Sequence, residues 1–335
     1  MTDLPQHTAV AALAEKTDLE VIGDPKPISG GANNRVYVIQ TVKKPIVLKE
    51  YFRHPLDPRD RLTAEFAFLS YAVSIGIDAV PRPLAADHET GLGLYEFIDG
   101  RQLEPEEVDD RAVDMAIDFL VSLDRGRDSS LAQSLANASE ARFSIAGHLT
   151  LVRNRIERLL EIEVTEEIDA KAIQFVRDKL ASRWQSVEKR ILQIAHERTI
   201  CSEDVIPADE RIISPSDFGF HNALVRPDGR IAFIDFEYAG WDDPAKTVGD
   251  FFNQVKRPVP STSFRRFCDA LSPRSTNRID LLLPVYRIKW CTILLNEFLP
   301  GASTRRQFAV GDRDIAAIKT LQLDKAQTAY QQWDS

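Results

Sequence analysis

One short series constrains this chain more than any other. It is Ser216-Asp-Phe-Gly-Phe-His-Asn222, followed by a strand–turn–strand pattern that ends at Asp235. Residues 222–236 read as two β-rich runs joined by Asp228-Gly229, a turn dipeptide. A hairpin of this length returns to where it began, so Asp235 is expected beside Asn222. Two hard oxygen ligands from opposite ends of one hairpin make a seat for Mg²⁺. Asp217, in the loop before it, is placed to accept the proton of an attacking hydroxyl. An Asp-x-x-x-x-Asn match alone is common by chance; the Asp–Asn–hairpin–Asp series is not.

The N-terminal part supplies a second set. Arg35-Val-Tyr-Val-Ile-Gln40 and Pro45-Ile-Val-Leu-Lys-Glu-Tyr51 are β-rich, and their short link predicts an antiparallel hairpin. The segment Ile28-Ser-Gly-Gly-Ala-Asn-Asn34 precedes them. Gly30 and Gly31 allow close backbone approach to a phosphate. Asn33 and Asn34 can add side-chain or turn contacts. The segment is neither GxGxxG nor a Walker A motif, and a plain hairpin loop reads the same way. Lys49 stands in an otherwise apolar strand, so it either snorkels or is paired. Leu62, Phe66, Leu69 and Val73 repeat at helical spacing, with Gly76 as a stop and Glu65 on the same helix. A Lys49–Glu65 pair would hold the lysine against nucleotide phosphates. Leu92–Ile98 is a further strand.

Beyond residue 103 the texture changes. Residues 108–124, 151–163, 168–198, 262–299 and 313–332 read as helical, with strand-like runs at 211–213 and 222–236. The expected fold is therefore α+β, a small β-rich part followed by a larger helical one. The boundary is placed so that residues 1–97 and 98–335 form two lobes. A chain of 335 residues is long for one core and suits this division. The net charge of −9 argues against nucleic acid as a partner and is compatible with a cationic substrate. Cys201, Cys268 and Cys291 are widely spaced without a CxxC, so neither a disulfide framework nor a zinc site is expected. No run of 18 apolar residues suggests a membrane span, and Met1–Ala12 shows no signal-peptide pattern. A cytoplasmic location is expected.

Taken in order and spacing, these motifs resemble the aminoglycoside phosphotransferase and choline kinase-like family, small-molecule relatives of protein kinases, over residues 28–250. The resemblance implies the two-lobed protein-kinase-like fold, with an antiparallel β-sheet N-lobe and a mainly helical C-lobe. It implies ATP and Mg²⁺ as cofactors and transfer of the γ-phosphoryl group to a hydroxyl of a small molecule. Gly30, Gly31, Asn33 and Asn34 look like the nucleotide loop, Lys49 like the phosphate-binding lysine and Glu65 like its partner. Glu96 and Ile98 fall where the chain would meet the adenine edge. Asp217 matches the catalytic base, and Asn222 and Asp235 match the magnesium ligands.

There are departures from the family pattern. Pro215-Ser216-Asp217 stands where the family has His-Gly-Asp or His-Asn-Asp, and Thr247 stands where an Asp is common, with Asp250 the nearest acid. His221 reads as a packing or phosphate-proximal residue in preference to a base. Glu237, Tyr238, Trp241, Asp242 and Asp243, with Tyr286, Trp290, Glu297 and Phe298, would make an acidic, aromatic wall suited to an amine or quaternary ammonium. Helix packing is the competing reading of the 286–298 set. Amino sugar, amino alcohol, choline-like alcohol and sugar all remain open. A catalytically weak pseudokinase or nucleotide-sensing binding protein is the rival from another class, favoured by Pro215 and opposed by Lys49, Glu65, Asp217, Asn222 and Asp235 together. A protein kinase is disfavoured because no Ala-Pro-Glu segment follows Asp235.

Overall fold

Alternation builds the first sheet. In β2 (Arg35–Thr41) Tyr37, Ile39 and Thr41 are buried, and in β3 (Ile46–Glu50) Ile46 and Leu48 are. With β1 (Val21–Pro27), β4 (Pro83–Asp87) and β5 (Leu92–Glu96) they form an antiparallel sheet in the order β1-β2-β3-β5-β4. The computed structural model describes residues 7–17, 19–28, 33–55, 57–300, 308 and 315–332. Gly30 and Gly31 lie outside the described residues. Helix α1 (His7–Glu15) covers one face of the sheet through Val10, Leu13 and Ala14, packed with Ile39, Ile46, Leu48 and Leu94. Lys49 alternates with Leu48 and so points to the other face. There its strand partner is Gly93. A Cβ at Gly93 would lie 2.6 Å from the Tyr95 hydroxyl, so the missing side chain makes room for that ring.

Helix α2 (Arg61–Ser74) begins where the Asp60 side chain accepts from the backbone of Thr63, an N-cap. It ends before Gly76, whose φ of +84° is the left-handed conformation common after a helix end.

The helical part contains α3 (Asp110–Asp124), the short α4 (Ser130–Gln133), α5 (Ile145–Leu160) and α6 (Glu167–Phe175). A π-helical turn at Val176–Ala181 joins α6 to α7 (Ser182–Glu197), so the predicted 168–198 helix is continuous but for that turn. Then come α8 (Pro244–Asn253), α9 (Phe264–Leu271), α10 (Thr276–Leu294) and α11 (Ile315–Gln331). The stretch read as helical at 262–299 is divided at Ser272, which is extended at φ −158°. Pro273 disfavours helical geometry in the residue before it.

Three strands, β6 (Arg101–Gln102), β8 (Ala223–Val225) and β9 (Ile231–Phe233), make a small sheet, and β7 (Ile212–Ser214) pairs with β10 (Gly240–Asp242). A run of phenylalanines links the parts. Phe68 of α2 stacks on Phe236 at 4.7 Å, Phe119 of α3 lies 4.8 Å from Phe233, and Phe218 lies 4.8 Å from Phe233. Phe251 of α8 continues it, 5.3 Å from Phe218 and 4.6 Å from Phe267. Phe218 and Phe236 each follow a candidate site aspartate, so burying them fixes where Asp217 and Asp235 leave the core. Among the described residues, no helix is long and apolar enough to cross a membrane.

Candidate active site

The loop after β7 is held by short polar contacts. The Ser216 backbone donates to Ser214 Oγ at 3.0 Å, and Thr247 Oγ1 donates to the same oxygen at 2.8 Å. Ser216 has φ +67°, a left-handed conformation that costs a side-chain-bearing residue energy. Its hydroxyl accepts from Lys246 Nζ at 2.8 Å, which fixes it there. Asp217 follows, its side chain 39% exposed, between buried neighbours. Asn222 Nδ2 donates to the Asp217 carbonyl at 3.1 Å. With its nitrogen committed to the loop, the amide oxygen is the Asn222 atom suited to a metal.

The hairpin then does what its length requires. Ala223 pairs with Phe233, and the Ile234 backbone donates to the Asn222 carbonyl at 2.9 Å. Asp235 is thus brought beside Asn222, at φ +70°. Lys49 Nζ lies 3.0 Å from Asp235 Oδ1 and 2.7 and 2.9 Å from the two Glu65 oxygens. Glu65, 1% exposed, also accepts from Tyr51 Oη at 2.5 Å and from the Phe236 backbone at 3.3 Å. One carboxylate therefore ties β3, α2 and the segment after Asp235 together. Burial works against the Lys49 charge, but Asp235 and Glu65 outweigh it and hold the ammonium well above the usual lysine range.

Asn33 and Asn34 both direct their side-chain amides onto Glu237. Asn33 Nδ2 donates to Glu237 Oε1 at 2.7 Å and to Tyr238 Oη at 2.9 Å; Asn34 Nδ2 donates to Glu237 Oε2 at 2.5 Å. They clamp the start of β2 onto the segment behind Asp235. Burial, then the nearby Asp235 charge, pushes the Glu237 carboxyl up to about 7. The Glu96 carboxylate is tied to Lys44 at 2.7 Å. With Ile98 it lines a surface groove of about 430 Å³ that also includes Asp78 and Arg230.

A cavity of about 290 Å³ opens beside Asp217. Sequence reasoning expected an acidic, aromatic wall here; much of it is spent inside the fold. Asp242 pairs with Lys246 at 2.8 Å, and burial pushes its carboxyl up to about 6 despite that lysine. Asp243 caps α8 and takes Arg278 at 2.8 Å and His148 Nε2 at 3.0 Å. Tyr286 is buried against His148, and Phe298 lies in the core. Tyr238, Trp290 and Glu297 do line the cavity. Arg59 lies over the Tyr238 ring at 5.4 Å, and Lys289 over the Tyr286 ring at 5.2 Å.

The cavity's other walls were not foreseen: Glu140, Arg155, Lys246 and Lys289. Arg155 pairs with Glu140 at 2.5 Å, and Lys289 with Asp250 at 2.9 Å. Asp250 also accepts from Trp290 Nε1 at 3.0 Å and lies 3.4 Å from Lys246, so it braces the lysine that holds Ser216. The spacing Asp242, Lys246, Asp250 at i, i+4 was the available signal. Burial would raise the Asp217 carboxyl; His221, Lys246 and Lys289 outweigh it and hold it below its ordinary value.

Among the described residues no three His, Cys, Asp or Glu side chains converge as a metal cluster. Asn222 and Asp235 offer two hard oxygens. That fits Mg²⁺, which keeps several waters and takes its remaining ligands from substrate phosphates.

The phosphotransferase enzyme family model matches residues 24–282. No curated protein sequence matches the chain. Among solved structures, a choline/ethanolamine kinase family protein from Mesorhizobium loti is similar with a TM-score of 0.56 and 16% identity, covering 96% of this chain and 93% of that one. A choline kinase from Streptococcus pneumoniae gives 0.56 and 16%, covering 97% and 98%. A spectinomycin phosphotransferase, solved with ADP and spectinomycin, gives 0.60 and 13%, covering 96% and 99%. At these identities the likeness is one of fold, the two-lobed protein-kinase-like fold. With three quarters of its length matched by the family model, the chain belongs to the phosphotransferase enzyme family.

Proposed function

We propose that this member of the phosphotransferase enzyme family moves the γ-phosphoryl group of ATP, with Mg²⁺, to a hydroxyl of a small molecule. The observation that carries the reading is the convergence on Asp235: Lys49, itself pinned by Glu65, meets it from one side, and the hairpin from Asn222 delivers it from the other. In this reading residues 1–97 are the nucleotide lobe, and residues 98–335 carry the catalytic loop, metal site and acceptor pocket.

Phosphoryl transfer asks a protein mainly for positioning and charge. Lys49 would neutralise nucleotide phosphate, and Asn222 and Asp235 would hold the metal. Bound Mg²⁺ would offset the charge that develops on the phosphates. Asp217 would orient the acceptor hydroxyl. As its oxygen bonds to the γ-phosphorus, the bond to the β-phosphate oxygen breaks, ADP leaves, and the hydroxyl proton passes to Asp217. The Asp217 carboxyl, held below its ordinary value, suits a group that must stay ionised while it orients the hydroxyl.

The acceptor cavity favours a hydroxyl-rich molecule recognised through hydrogen bonds. Arg155 and Lys289 in its walls are already paired, and two of the protein's own arginines lie over Tyr238, one of the aromatic rings that line it. An amino sugar or sugar fits these walls better than a choline-like alcohol. The binding-protein alternative rests on Pro215; against it, Lys246 and Thr247 hold the Ser214–Ser216 turn in place of the missing histidine.

The test is ADP formation from MgATP with amino sugars, sugars and amino alcohols as acceptors. Asp217→Ala and Asp235→Ala should each lower turnover by about 10²–10⁴-fold while the protein stays folded. Wild-type turnover in either variant would remove the site assignment.

A further inference from the structure

We infer that His221 is a positioning residue for Asp217: its Nε2–H holds the Asp217 carboxylate in the orientation that receives the acceptor hydroxyl. The inference rests on the phosphotransferase reading above.

His221 Nε2 lies 3.3 Å from Asp217 Oδ1. Among the described residues no other side chain hydrogen-bonds to that carboxylate; Lys246 and Lys289 act on it only through charge. The rest of the loop is already fixed. Phe218 and Phe220 are buried in the core, and Asn222 holds the Asp217 carbonyl. What stays free is rotation of the Asp217 side chain itself, and His221 restrains that rotation.

The imidazole is seated for this contact. Its side chain is 12% exposed, and Nδ1 is buried without a hydrogen-bond partner. A proton on Nδ1 would bury an unpaired donor and leave Nε2 facing the carboxylate lone pair to lone pair. A proton on Nε2 avoids both, so the geometry selects the Nε2–H tautomer. The loop also leaves space for the ring. A Cβ at Gly219 would lie 2.8 Å from His221 Nδ1 and 3.0 Å from Cε1. Gly219 is therefore the residue that lets the ring lie against Asp217.

The test combines kinetics with ring ¹⁵N spectra of the full-length protein. His221→Phe keeps volume and removes the donor. It should lower kcat on the order of 10–100-fold, as expected for a misplaced reacting group, with KM for MgATP and acceptor within about twofold. His221→Gln places an N–H at similar reach and should recover most of the loss. Gly219→Ala keeps the imidazole but displaces it, and should also lower kcat. The wild-type spectrum should show His221 protonated at Nε2. Wild-type kcat in His221→Phe, no recovery in His221→Gln, or a ring protonated at Nδ1 would each overturn the proposal. If His221→Phe unfolds, Gly219→Ala and the spectrum still decide it. A wild-type protein that forms no ADP with any acceptor fails differently: it removes the phosphotransferase reading itself, and the positioning role with it.

Discussion

Glu65 accepts from Lys49, Tyr51 and the Phe236 backbone while almost fully buried, so its loss removes three hydrogen bonds at once and leaves the Lys49 charge to Asp235 alone. Breaking a buried pair by removing one partner costs more than the pair contributes, because the remaining charge stays desolvated. Glu65→Ala should therefore destabilise the protein by about 3–5 kcal/mol in denaturant unfolding. A loss below about 1 kcal/mol would mean that Lys49 is adequately held by Asp235 alone. Asp217 is the opposite kind of residue: its side chain is 39% exposed and its charge holds no element in place. Asp217→Asn should leave the unfolding midpoint nearly unchanged while turnover falls by about 10²–10⁴-fold. The two variants separate scaffold from chemistry within one site. Lys49 and Glu65 were legible as a pair because a lysine in an apolar strand and an acid on an apolar helix stripe each stand out. Asn33 and Asn34 were legible as a polar loop, but their true partner, Glu237, lies 204 and 203 residues away.

Helix α8 lines the cavity beside Asp217 through Lys246 and Asp250, yet it was not read as a helix from the sequence. Its residues Pro244 to Phe251 are all buried, Lys246, Thr247 and Asp250 among them, so its polar side chains turn inward to partners in place of marking a solvent face. Strand β1 was missed for a different reason: it contains Gly23, Pro25 and Pro27, which suit an edge strand and read as a loop. The start of α8 carries a testable linkage. His148, on α5, is fully buried between Asp243 Oδ2 and Tyr286 Oη. Burial holds its imidazole below the ordinary range despite the pull of Asp243. A histidine with a depressed folded pKa adds stability above about pH 6.5, its unfolded value, and that stability is lost as pH falls through the folded value. The wild-type unfolding midpoint should drop between about pH 7.5 and pH 5. His148→Gln, which can still bridge Asp243 and Tyr286, should flatten that slope. An unchanged slope would mean that other groups govern it.

At the scale of the whole molecule, nucleotide and metal should bind where the two lobes meet, so binding should stabilise both. Ligand at about a hundredfold over its dissociation constant adds roughly 2.7 kcal/mol, a rise of several degrees in unfolding midpoint. The rise should need ATP and Mg²⁺ together and should shrink in Asp235→Ala; no rise at millimolar nucleotide would count against the nucleotide site. The sequence alone determined the order of the parts: a β-rich N-terminal region, a helical remainder, and the Asp217–Asn222–Asp235 series. That was possible because a hairpin is a local object, and its register follows from turn chemistry and length. Tertiary structure alone decided how the cavity beside Asp217 is walled. Whether Asp243 faces solvent or salt-bridges inward, and whether Tyr238 offers an open ring or one already covered by arginines, depends on Arg59, Arg61, His148 and Arg278 arriving from distant helices and loops. Such meetings follow from how buried faces pack, and packing leaves no period or spacing in the chain from which a partner's identity can be read.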